Sequence, residues 1–171
     1  MLRLVFVLLL ISGPAFGGSE AFSADGKWRA SIQAPDRLVI YAVADNSIGA
    51  AFHAETRAGI PAVFEGVYVD PSRRNFIVPL KDIAQYWLIA TDPEAPPVYE
   101  GFVHSHEAGM IEALPSSEGL FARRRIETEH ALQQLEFSAD YREMTALTPD
   151  GALRVTLNLY VNREIAWEPV K

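Results

Sequence analysis

Residues 66–106 read GVYVDPSRRNFIVPLKDIAQYWLIATDPEAPPVYEGFVHSH, and this stretch decides the fold. Short apolar runs at Val67–Val69, Phe76–Leu80, Tyr86–Ala90 and Val98–Phe102 alternate with turn clusters at Asp70-Pro71-Ser72 and Asp92-Pro93-Glu94. Runs of this length, punctuated by Pro, Asp and Ser, are the pattern of an antiparallel meander, so the stretch is predicted to form one four-stranded sheet. It ends at His104 and His106, two of the four histidines in the chain, on the segment that leaves the last predicted strand. A sheet supplies rigidity, and the loop that follows it carries reactive groups.

Working outward, the same plan recurs on both sides. A first unit, about residues 20–59, has strands at Trp28–Ile32, Leu38–Val43 and a weaker one at Ile48–Ala54, with turns at Asp25-Gly26, Pro35-Asp36 and Asp45-Asn46-Ser47. The second unit is the opening stretch, about 62–103. A third, about 135–171, begins Phe137-Ser138-Ala139-Asp140 and repeats the tetrapeptide Phe22-Ser23-Ala24-Asp25. Superposing Asp25, Asp70 and Asp140 places Phe22, Val67 and Phe137 at one position, and the aspartates read as turn formers that accept backbone hydrogen bonds. Trp28, Trp87 and Trp167 fall once per unit and read as packing residues.

Repeats of about 40 residues with several strands each indicate a β-propeller, one blade per repeat. The predicted fold is therefore all-β, a partial β-propeller of about three four-stranded antiparallel blades. The spacing is broken once: Asp25 to Asp70 is 45 positions and Asp70 to Asp140 is 70, which places an insertion at about 104–134. Its second half, from the capping candidates Ser116 and Ser117 through Leu120, Phe121 and Arg124, reads as a short helix. Insertions in propellers line the faces and the central channel, so this is where function is expected.

Residues 1–17 have one positive charge at Arg3, an apolar run from Leu4 to Ile11 and a small, turn-forming end, which is a secretory signal peptide. An uncleaved anchor is the alternative, but spanning a bilayer takes about 20 apolar residues. No later stretch is long enough, so residues 18–171 are expected to form one domain without a transmembrane span, periplasmic or secreted. The net charge is −7, and −8 without Arg3. So acidic a chain lacks the positive field that holds nucleic acid. There is no cysteine, hence no disulfide, thiolate metal site or covalent c-type haem attachment.

Three segments resemble the haem d1 propeller family, which includes the d1 domain of cytochrome cd1 nitrite reductase and, nearer in these segments, the periplasmic haem d1 biosynthesis protein NirF. They are Val67–Asp70 with Arg74–Asp82, Trp87–Ile89 with Asp92-Pro93 and Tyr99–His104, and, in the third unit, Tyr141-Arg142 with Asn158–Ala166. The resemblance covers roughly two thirds of the chain after the leader. It implies binding, carriage or maturation of a tetrapyrrole, haem d1 or a precursor, held non-covalently. It implies no chemical step, because a propeller by itself does not imply catalysis.

His104 and His106 form a His-x-His pair that shares one face of a strand and can face a metal or a planar cofactor. The plainer reading is a solvated turn. Two histidines fix no metal geometry, and Glu107, Glu112 or His130 as a third ligand is not required by the spacing. Under the family resemblance His104 is the axial or polar contact, with His106 as its substitute. Arg123-Arg124-Arg125 is the dense positive cluster of an acidic chain, and guanidinium forks bind the carboxylates of a tetrapyrrole; a solvated face paired with Glu118, Glu127 and Glu129 is the alternative. Lys81, after an apolar strand, is a further propionate contact. No nucleophile elbow and no Gly-rich phosphate loop are present. The competing class is an interaction module that uses open sheet edges to join a second copy or another propeller protein.

Overall fold

A computed structural model describes residues 18–99 and 116–170. Twelve strands form three antiparallel four-stranded sheets, each with its strands in chain order. Sheet 1 holds β1 (Glu20–Phe22), β2 (Trp28–Ala34), β3 (Arg37–Ala42) and β4 (Ile48–His53). Sheet 2 holds β5 (Tyr68–Asp70), β6 (Asn75–Pro79), β7 (Gln85–Ala90) and β8 (Arg123–Glu127). Sheet 3 holds β9 (Gln133–Phe137), β10 (Glu143–Leu147), β11 (Leu153–Asn158) and β12 (Arg163–Pro169).

Three of the hairpins are closed by one piece of turn chemistry. Ser23 Oγ donates to Asp25 Oδ1 at 2.7 Å and accepts from the Trp28 N–H at 3.0 Å, while Asp25 Oδ1 also accepts from the Lys27 N–H at 3.1 Å. Ser138 and Asp140 repeat these bonds between β9 and β10. Thr148 and Asp150 repeat them between β10 and β11. The left-handed residue after the aspartate is Gly26, Tyr141 or Gly151. The twice-used Phe-Ser-Ala-Asp is therefore a hairpin device, and its Thr148-Pro149-Asp150 counterpart closes a different pair of strands, β10 and β11.

The superposition on three aspartates is corrected by the register. Asp70 pairs with Asn75, the place that Ser23 takes opposite Trp28, so Asp70 matches Ser23 and not Asp25. Between β5 and β6 the pair is reversed, with Asp70 Oδ1 accepting from Ser72. Hydrogen bonds from the serine or threonine hydroxyl first, and from the backbone next, hold the Asp25, Asp140 and Asp150 carboxyls below their ordinary 3.8. A carboxylate whose folded value is depressed stabilises the fold above its unfolded value, and that stabilisation is lost as the pH falls through 3.8 to the folded value. Asp150→Asn is thus expected to flatten the acid side of the urea-midpoint profile; a profile that overlays the parent's there contradicts this role.

Sheet 2 is the middle layer, and its inner strands β6 and β7 are buried on both faces. Phe76, Val78, Trp87 and Ile89 point to sheet 1, where they meet Ala30, Leu38 and Ile40, with Phe64 of the connection from β4 to β5 in the same cluster. The alternate residues Tyr68, Ile77, Tyr86 and Leu88 point to sheet 3 and meet Leu135, Met144, Val155 and Leu157. Every residue of β7 is buried. The continuous apolar runs of the opening stretch are thus explained by two-sided burial. Burying each such side chain contributes roughly 1.5–3 kcal/mol, which makes this strand the centre of stability.

Three expectations are corrected. The fourth strand of the second sheet is Arg123–Glu127, not Val98–Phe102: Gln85, Trp87 and Ile89 of β7 pair with Glu127, Arg125 and Arg123. Pro96 and Pro97 lack the N–H groups a ladder needs, and Val98 makes only a bridge to Ser117. The inserted segment consequently lies between β7 and β8, inside sheet 2, and not between the second and third units. The stretch expected to be helical, from Ser116 to Arg124, is turn and bend that runs into the start of β8, and there is no helix among the described residues. Ser117 caps nothing; its hydroxyl bonds the Arg123 backbone in both directions.

The tryptophans also part company. Trp28 meets Phe121 edge-on at 4.8 Å and Trp87 is fully buried, whereas Trp167 on the free edge of β12 is 59% exposed. The leader expected at residues 1–17 lies outside the described residues. Among those described, no helix is long and apolar enough to cross a membrane.

Candidate binding cleft

Alternation along the strands gives the three sheets two ends. One carries the β5–β6 turn, the β7–β8 connection and the β11–β12 turn, and there a cleft of about 310 Å³ opens between sheets 2 and 3. Leu88, Ala90, Val98, Ala122 and Leu159 make its apolar floor. Arg73, Asn75, Arg124, Tyr160 and Asn162 bring polar groups to it, with Asp92 and Glu94 on the same lining.

The inner end of the cleft is built on Asp70, which is 1% exposed. Its Oδ1 accepts from the Ser72 N–H and hydroxyl and from the Arg73 N–H at 3.3 Å; its Oδ2 accepts from Arg73 Nη1 at 2.9 Å. The same Nη1 reaches across to sheet 3 and donates to the Tyr141 carbonyl at 2.7 Å. The Arg73 guanidinium then lies 4.4 Å from the centre of the Tyr160 ring. One buried carboxylate thus orients an arginine that pins two sheets and seats an aromatic ring. Nearby, the Tyr86 hydroxyl donates to Asn162 Oδ1 at 3.3 Å, and burial holds that phenol well above its ordinary range.

The arginine cluster is divided by the period of the strand it occupies. Arg123 and Arg125 turn to the sheet 1 side, over the Trp87 ring at 4.5 and 5.7 Å, and both bond Glu55. The Arg125 side chain is 9% exposed, so this ion pair ties β8 to the connection that follows β4. Arg124 turns the other way, pairs with Leu88 and lines the cleft; its exposed guanidinium has no bonding partner among the described residues. The three arginines are not one anion cradle. Lys81 lies in the β6–β7 turn, at the opposite end of the sheet from the cleft, and is exposed. His104 and His106 lie outside the described residues. The chain on either side of that segment is tied by an isolated bridge between Val98, on the cleft wall, and Ser117, whose backbones bond at 2.8 Å.

A neighbouring groove shares Asp92 and Glu94, but its other charges are paired, Lys27 with Asp25 at 3.5 Å and Arg74 with Asp92 at 3.0 Å. No group of three or more metal-ligating side chains forms among the described residues. Sequence reasoning missed the Asp70–Arg73 pin and Tyr160. The available signal was an aromatic residue placed in a turn, Leu159-Tyr160-Val161-Asn162, between two strands.

Comparison with known proteins agrees with the geometry. The chain superposes on NirN, a dihydro-haem d1 dehydrogenase solved in complex with DHE, with a TM-score of 0.68 and 22% identity over 89% of this chain and 28% of that one. It superposes on the β-propeller domain of Cps50 (Swd1) of Myceliophteria thermophila at 0.52, with 14% identity over 91% and 43%. The fold is that of a β-propeller. Each sheet is one blade, and the described residues hold three. A further match is the periplasmic gluconolactonase PpgL of Pseudomonas aeruginosa, at 0.56 and 14% identity over 93% and 40%. This chain therefore spans between 28% and 43% of the length of these propellers. At such identities the likeness establishes the fold. No family model matches the chain, and no curated protein matches it.

Proposed function

We propose that this chain binds a tetrapyrrole, haem d1 or one of its precursors, non-covalently, as a carrier or maturation protein of the periplasm. The observation that carries the reading is the cleft between blades 2 and 3, where a guanidinium unpaired among the described residues and an exposed aromatic ring stand over an apolar floor. A flat, conjugated, carboxylate-bearing molecule is complementary to that combination. The resemblance of three sequence segments to the haem d1 propellers points the same way, as does the likeness to NirN, whose structure holds DHE. Arg124 is the carboxylate contact. His104 is the axial or polar contact, with His106 as its substitute, both on the segment that leaves the cleft wall. Arg123 and Arg125, committed to Glu55, and Lys81, at the far end, are not part of this site.

Titration with haem is expected to shift the Soret band, and His104→Ala to abolish the iron-dependent part of the shift. A flat titration sinks the reading. A second reading is favoured by one observation: β12 is a free edge strand whose Ile165 and Trp167 are exposed. In it the chain is an interaction module joined through that edge to a second copy or another propeller. A flat titration together with a dimer that Trp167→Asp dissolves would select this second reading.

A further inference from the structure

We infer that the cleft selects its ligand by a single carboxylate arm, taken by Arg124, with the adjoining conjugated surface laid on Tyr160, whatever metal the ligand carries. This rests on the tetrapyrrole reading and states how such a molecule is held.

The volume is the first argument. About 310 Å³ is at the bottom of the range of small-molecule sites, roughly 300–1,000 Å³, so the cleft admits one edge of a macrocycle and not the whole disc. The second is the placement of charge. Arg124 lies over Leu88 and Ala122, and an arginine–carboxylate pair against apolar walls is stronger than the same pair in bulk water. The Glu94 carboxylate, on the same lining and without a bonding partner among the described residues, repels a second acidic arm. One arm is therefore drawn in, and the others are turned outward. The Asp92 carboxylate is already neutralised by Arg74 at 3.0 Å, and Arg73 by Asp70 at 2.9 Å, which leaves Arg124 and Glu94 to set the selectivity.

The third argument is preorganisation. Tyr160 is 67% exposed, yet the Arg73 guanidinium lies against its ring, and Arg73 itself is held by Asp70, Ser72 and the Tyr141 carbonyl. A ring already held in place loses little freedom when a flat ligand stacks on it. The Asn75 and Asn162 amides at the same rim supply neutral donors and acceptors for polar ring substituents.

The test is metal-free protoporphyrin IX and its dimethyl ester, each titrated by fluorescence into the full chain, with haem in parallel. The free acid is expected to bind roughly tenfold or more tightly than the ester. Arg124→Gln should weaken the acid by the same factor and leave the ester unchanged; Arg124→Lys, which keeps the charge and loses the fork, should fall between. Glu94→Gln should tighten the acid. Arg124 is exposed, and an unchanged urea midpoint in these variants shows that the fold is intact. Equal binding of acid and ester, or an Arg124→Gln variant that binds the acid as well as the parent does, overturns this inference alone. So does binding of haem without binding of protoporphyrin. No binding of any of the three overturns the tetrapyrrole reading together with it.

Discussion

Asp70→Ala is expected to cost about 3–5 kcal/mol in urea unfolding, because it removes one partner of a buried ion pair and leaves the other charge stranded. The carboxylate is 1% exposed and accepts four hydrogen bonds, two from Ser72 and two from Arg73. With it gone, Arg73 loses its seat, and with Arg73 go the bond to the Tyr141 carbonyl and the support of the Tyr160 ring. The loss is therefore expected at two levels, blade 3 coming away from blade 2 and the cleft losing its stacking surface. Asp70→Asn, which keeps one acceptor oxygen but not the charge, should lie between the parent and the alanine variant. An alanine variant that unfolds at the parent's urea midpoint would show that the pin does not hold the blades together.

Trp87→Ala is the second large effect, about 3–5 kcal/mol, the cost of emptying a large aromatic from a packed core. Trp87 is fully buried at the centre of β7; Phe64 meets its ring edge-on at 5.2 Å and Phe52 at 6.3 Å, and the Arg123 guanidinium covers it at 4.5 Å. Collapse cannot fill the space, since Phe52 and Arg123 are held by the ladders of β4 and β8 and Phe64 by its bridge to Leu80. The contrast is Trp167→Ala on the exposed edge of β12, where the same truncation should change stability by only about 0.5 kcal/mol. Comparable losses from the two substitutions would contradict the assignment of Trp87, and not Trp167, to the interface between blades. The indole N–H of Trp87 has no partner among the described residues, so Trp87→Phe should recover most of the loss.

Much of this architecture is legible in the chain because it is local. The Phe76–Leu80 and Tyr86–Ala90 runs are apolar at successive positions, and a strand that is apolar on both faces must be covered on both faces. Hairpin closure by Ser-x-Asp or Thr-x-Asp needs only five or six consecutive residues, which is why Asp25 and Asp140 read as turn formers, while the hydroxyls of Ser23, Ser138 and Thr148 that complete the device come from the structure. Other features were misread where a local signal had two meanings. Arg123-Arg124-Arg125 suits a helix face as well as a strand, and its sense changes entirely once it pairs with β7: the period of two sends the middle arginine to the cleft and its neighbours to Glu55. Likewise Asp70 looked like the counterpart of Asp25, because sequence spacing cannot show which residue lies opposite which across a turn.

The sequence by itself determined the all-β class, the strands of blade 1, the β6 and β7 runs and the turns at Asp25 and Asp140, since each depends on neighbours within a few residues. Tertiary structure alone decided that β8 would come from beyond the inserted segment, that Arg73 would meet Tyr141 and Tyr160 of another blade, and that Arg124 would be the arginine facing the cleft. Those outcomes depend on which strand edges and side chains are brought together after long loops close, and the free energy of such meetings belongs to the packed whole rather than to any one segment.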